Sequence, residues 1–169
     1  MHMSGDGLKI ASFDELKSLL GKAYWLESQL ELAMQWEAYM VFKKDEFREA
    51  LFQISHDSEN HKQILNNIFS KIEGLTPEEA LEYVQLKGKE FDFNGKWDEE
   101  IITGLLKNEN LVLDIYTKLH NFTDPNYIKQ VWKEDDHGNF FKRLEFLISE
   151  EKKHIALLTP LAGKLERVI

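Results

Sequence analysis

Glu151 and His154 stand three residues apart in the segment Ile148-Ser149-Glu150-Glu151-Lys152-Lys153-His154, where apolar residues recur at helical spacing. On an α-helix, positions i and i+3 share a face, so a carboxylate and an imidazole nitrogen placed this way can reach one cation in a helical core. Chance produces the same pair often enough that it needs context, and a solvent-facing run with Glu150, Lys152 and Lys153 is the competing reading. His61 repeats the theme with Asp57 four residues earlier, against a competing reading as surface residues flanking Ile54 and Leu65. Glu109 sits among Leu105, Leu106, Val112 and Leu113, where a buried carboxylate without a partner is costly. Glu31 and Glu27 complete the candidates. His56, His120 and His137 fit polar surface or helix-end roles, and Trp25, Trp36, Phe42 and Phe52 read as core.

These groups can meet only if helices bring them together. The apolar period is helical almost throughout, with no convincing period-two strand, so the expected class is all-α. Ser12-Phe13-Asp14-Glu15 reads as a capping box opening a first helix that runs to about Lys44, with Gly21 its weak point. Asp45 is expected to cap a second helix after a very tight turn, and Gly74 to close it. Thr76-Pro77-Glu78-Glu79 starts a short helix to about residue 87, followed by a linker from Gly88 to Gly95. A third long helix is expected from Trp97-Asp98 to His120-Asn121. Asp124-Pro125 marks a turn or new start, with helix as far as Glu134 and a break over Asp135 to Gly138. The last long helix should run from about Phe140 to Arg167, kinked at Pro160.

Two hairpins joined by a crossover form the up-down arrangement of a four-helix bundle with one longer connection. Phe47 to Ser55 can be laid over Phe141 to Ser149, which fits either a duplicated hairpin or two core helices obeying one pattern. If the first hairpin turns near residue 44 or 45, Glu31 lies level with Asp57 and Ser58, and Glu27 with His61. If the second turns near residue 130, Glu109 lies level with Glu151. Each hairpin then offers an acid from its first helix and an acid plus His from its second. Such a set suits two divalent ions sharing carboxylates.

Composition narrows the chemistry further. The chain has 169 residues, 43% hydrophobic and 12% aromatic, enough for one core, read as a single domain over 11–169 after an expression-derived or disordered terminus at 1–10. With no Cys, thiolate metal sites, disulfides and cysteine nucleophiles are excluded, and any metal must be held by O and N. The net charge of −9 argues against a nucleic-acid partner. No apolar run reaches a membrane span and no secretory signal is visible, so a cytoplasmic location without membrane contact is expected.

The second half resembles the ferritin-like di-iron carboxylate proteins, and among them the rubrerythrin-like branch. Glu109 followed seven residues on by Tyr116 is similar to one of that family's helices, and Glu151-Lys152-Lys153-His154 to its E-x-x-H helix. The first half departs from the pattern. Ser58 stands three before His61 where the family has Glu, and Leu32 stands seven before Tyr39, so Glu31 carries over only by its level in the hairpin. The Cys-rich rubredoxin segment is absent as well. The resemblance implies a ferritin-like bundle and two iron ions, with manganese or zinc as alternatives. Their ligands would be drawn from Glu27, Glu31, Asp57, His61, Glu109, Glu151 and His154, with Tyr116 or Tyr39 as a hydrogen-bonding or redox neighbour. It also implies an oxidoreductase acting on O2 or peroxide, or oxidising Fe(II), supplied with electrons by a donor in trans and built as a homo-oligomer. A metal store, carrier or sensor, or a bundle with a decayed site acting by protein contact, is the alternative.

Overall fold

In a computed structural model of the chain, the structure describes residues 9–34, 42–82, 84 and 97–162, without the side chains of residues 31–34. Among the described residues the fold is all-helical. The helices are α1 (Phe13–Met34), α2 (Asp45–Lys71), α3 (Pro77–Glu82), α4 (Asp98–Phe122), α5 (Pro125–Val131) and α6 (Gly138–Ala162). None of them is long and apolar enough to cross a membrane.

The start signals act as their residues suggest. Ser12 Oγ accepts from the Glu15 N–H at 3.3 Å, Thr76 Oγ1 from the Glu79 N–H at 3.2 Å, and Asp124 Oδ1 from the Asn126 N–H at 2.9 Å. Each satisfies an amide that has no partner inside its helix. Gly74, at φ 75°, takes the left-handed conformation that lets the chain leave α2.

Several expectations need correction. Asp45 is the first residue of α2 rather than its cap, and Phe42 to Lys44, expected in the first helix, are not helical. Instead Asp98, at the start of α4, accepts from the Lys43 and Lys44 N–H groups at 3.1 and 3.3 Å and ties this corner to the second half. The α3 helix ends at Glu82, short of residue 87. Ile10, assigned by sequence to a loose terminus, is buried and paired, giving its N–H to Phe122 O at 2.6 Å and accepting from the Asp124 N–H at 2.9 Å. Phe52 is not core but 71% exposed. The linker at 88–95, Trp36, Tyr39 and the end of the last helix beyond residue 162 lie outside the described residues.

The four long helices share one core. Tyr24 meets Phe69 and Glu27 meets His61, so α1 and α2 run antiparallel. His120 meets Glu145 and Glu109 meets His154, giving the same relation between α4 and α6. Contacts of α1 with α4 and of α2 with α6 complete the packing. The α3 helix lies across α1 at Gly21, where an added Cβ would come 2.5 Å from the Ala80 carbonyl oxygen. The weak helix former at that position is therefore what lets the crossover pack so closely.

Two apolar clusters fill the interior. One holds Leu20, Leu26, Leu65, Phe69, Val112 and Leu147, the other Leu30, Phe42, Ile54, Leu105 and Leu158. Along every long helix the switch from one cluster to the other falls at the same level, and the residues at that level are polar.

Candidate metal centre

Glu27 on α1, Ser58 and His61 on α2, Glu109 on α4, and Glu151 and His154 on α6 form that polar layer, each at most 2% exposed. Their positions follow from helical periodicity. Glu27 follows Leu20 and Ala23 on the buried stripe of α1, and Glu109 lies between Leu105 and Val112 on that of α4.

Glu151 stands at the centre. Its Oε1 lies 3.0 Å from His61 Nδ1 and its Oε2 3.5 Å from His154 Nδ1. His61 Nδ1 also bonds Glu27 Oε1 at 3.1 Å, and Tyr116 OH donates to the same oxygen at 2.8 Å. On the other side, His154 Nδ1 lies 3.5 Å from Glu109 Oε2. The two imidazoles stack at 5.4 Å between ring centroids. Glu27, His61 and Glu151 thus form one group whose ligand atoms lie within 4.8 Å of one another, and Glu109, Glu151 and His154 form a second. One carboxylate belongs to both.

The two groups contain more acceptors than donors. Glu27 Oε2, Glu109 Oε1, His61 Nε2 and Ser58 Oγ are buried without a hydrogen-bond partner, and Glu109 Oε2, both oxygens of Glu151 and His154 Nδ1 meet only one another or His61, as ion-pair contacts of 3.0 to 3.5 Å. Buried polar atoms are nearly always paired, so this concentration of carboxylates and imidazoles singles the layer out as a candidate site for cations. The donor set of carboxylate oxygen and imidazole nitrogen suits iron, manganese or zinc.

The carboxylates around them hold both imidazoles protonated. Burial alone would lower the His61 pKa, but Glu151 and Glu27 outweigh it and lift it to about 10. His154 is likewise pushed down by burial and raised further by Glu109 and Glu151, to about 11. Glu109, fully enclosed and facing Glu151, has its pKa raised well above the usual carboxylate range, first by burial and then by that like charge. Tyr116 is held neutral by burial and by the Glu27 charge.

Asp57 belongs to neither group. Its Oδ2 lies 3.0 Å from Nε2 of His154, the nitrogen turned away from Glu109 and Glu151. Gln53 Nε2 donates to the same carboxylate at 3.1 Å. Burial tends to raise the Asp57 pKa, but the bonds to His154 and Gln53 dominate and lower it. A carboxylate on the outer nitrogen fixes the tautomer and orientation of a ligating imidazole. Asp57 thus meets His154 rather than His61 and lies outside both groups.

The Glu31 side chain and Tyr39 lie outside the described residues; among the described side chains Glu27, one turn before Glu31, is the α1 acid in the cluster. The tie between Tyr116 and Glu27, and the burial of Ser58, were not anticipated from sequence. Helix levels alone pair Glu27 with His61; the place of Tyr116 seven residues after Glu109 marks it as a hydrogen-bonding neighbour, but not its partner, which lies across the core on another hairpin. Comparison with family models, with curated proteins and with solved structures finds no match to this chain.

Proposed function

We propose that this chain is a ferritin-like di-metal carboxylate protein, with iron as the first candidate metal, working as an oxidoreductase on O2 or peroxide or oxidising Fe(II). The observation that supports this reading most strongly is the sharing of buried Glu151 by two ligand groups of otherwise separate helices. Glu27 and His61 would hold one ion and Glu109 and His154 the other, with Glu151 common to both. A pair of redox-active ions so held would supply two electrons, one from each ion, for reduction of O2 or peroxide.

The protein's own residues do the rest. The apolar clusters on either side keep bulk water from the layer and strengthen every charge interaction within it. Asp57 orients His154. Tyr116 keeps its proton and donates it as a hydrogen bond to Glu27 Oε1, which holds that carboxylate in place and leaves a phenol beside the centre. With no Cys in the chain, there is no rubredoxin-type relay, and electrons would come from a donor in trans.

Anaerobic titration with Fe(II), followed by mixing with O2 or with hydrogen peroxide, tests the reading. Saturation at two ions per chain and oxidation of both ions on mixing are expected. Saturation at one ion overturns the paired-metal chemistry and favours a store or sensor.

A further inference from the structure

The two ligand groups are related position by position, except at one place. Glu27 corresponds to Glu109 and His61 to His154, each pair taken from the first and second helices of a hairpin. Three residues before His154 stands Glu151, and three before His61 stands Ser58. Ser58 is 0% exposed, and its Oγ has no hydrogen-bond partner. A helical serine that faces water is solvated there, and one that faces apolar packing usually bonds the carbonyl four residues back. Ser58 does neither. It shares a face of α2 with His61, three residues on and also buried, so its hydroxyl belongs to the same polar layer.

Resting on the di-metal reading, we propose that Ser58 opens a binding position for a small exogenous carboxylate, of formate size, that takes the place of the missing glutamate. The count of charge favours an anion there. Three ligand carboxylates with two neutral imidazoles leave a pair of divalent ions with one uncompensated positive charge among their direct ligands. Asp57 offsets it only from beyond the His154 ring. In a buried layer an uncompensated charge attracts a counter-ion strongly. The count of atoms agrees: formate supplies the carbon and the pair of oxygens by which a glutamate head group exceeds a serine's. The unpartnered Ser58 hydroxyl is a donor for one of those oxygens, a charge-assisted bond. On the opposite side Glu151 already occupies the equivalent place.

Calorimetric titration of sodium formate into protein loaded with two Mn(II) ions, with sodium chloride as the control, tests this. One formate per chain is expected for the loaded protein and none for the metal-free protein. Ser58→Glu should keep two Mn(II) ions and lose formate binding by more than about tenfold, since its own carboxylate fills the position. Ser58→Ala, which adds no charge and no bulk, should keep formate but bind it about 3- to 10-fold more weakly, the loss of one hydrogen bond. Absence of formate binding to wild-type protein that holds two ions overturns the inference and leaves the di-metal reading standing. Equal formate affinity in Ser58→Glu overturns it as well. Failure to load any metal overturns both.

Discussion

Asp57 Oδ2 and His154 Nε2 lie 3.0 Å apart although 97 residues separate them in sequence. The bond joins α2 to α6 and aims the other nitrogen of His154, Nδ1, at Glu109 and Glu151. Among the described residues there is no equivalent for His61, whose Nε2 is buried and has no hydrogen-bond partner there. Glu150, the position matching Asp57 on α6, pairs instead with Lys153 at 3.0 Å. The two ligand groups are therefore unequal, and the one containing His154 should bind its ion more tightly.

Asp57→Asn tests that inequality. Loss of the carboxylate behind a ligating imidazole should weaken metal binding at the His154 group by about 10- to 100-fold and leave the His61 group nearly unchanged. Competition with a chromophoric chelator measures both affinities. Equal weakening at both groups, or none, would contradict the assignment of Asp57 as the residue that orients His154.

The raised histidine pKa values set a pH dependence for the metal-free protein. Below the ordinary value of 6.5, folded and unfolded chains both hold these protons, and the contribution is fully present. Above it the unfolded chain gives them up while the folded chain keeps them until about 10 at His61 and about 11 at His154, so stability falls across that window. Melting temperatures in chelator from pH 6 to 10.5, compared with a His61→Gln/His154→Gln variant, should fall more steeply in the wild type. Metal affinity should move the other way and rise with pH, because each ion must displace protons. Parallel melting curves for the two proteins would show that the imidazoles are not held charged.

Much of this centre was legible in the residues and their spacing. The E-x-x-H pair on α6 and the acid at Glu109 follow from helical periodicity, and the level of Glu27 with His61 follows from antiparallel packing even though residues 42–44 are not helical. Asp57 was harder to read. At about 100° per residue it lies about 40° to one side of His61 around α2, and Ser58 about 60° to the other. Spacing shows that both are near His61, but which neighbour each meets depends on how α2 is rotated against α6. Phe52 differs from its sequence expectation for a related reason: it is one residue past buried Leu51 and so turns out to solvent. Gly21 reads as a weak point of α1 in sequence because the contact that requires it, the Ala80 backbone of α3, lies 59 residues on.

Gly21→Ala accordingly should destabilise the protein. Alanine favours the helix by about 1 kcal/mol, but its Cβ meets a backbone carbonyl that cannot swing aside, and overpacking of that kind costs about 1–3 kcal/mol. A lowered denaturation midpoint with an unchanged denaturant slope is expected. A rise in stability would mean that α3 does not rest on α1 in solution.

Glu151 is the residue on which the whole centre depends, and its substitution by glutamine is the most direct test. Wild-type protein purified without chelator and reconstituted with Fe(II) or Mn(II) is expected to hold two ions per chain by elemental analysis. Glu151→Gln should weaken both together, because the same carboxylate serves both groups, whereas His61→Gln and His154→Gln should each weaken one. A wild-type chain that binds no divalent metal, or a Glu151→Gln variant that retains both ions at full affinity, would contradict the account.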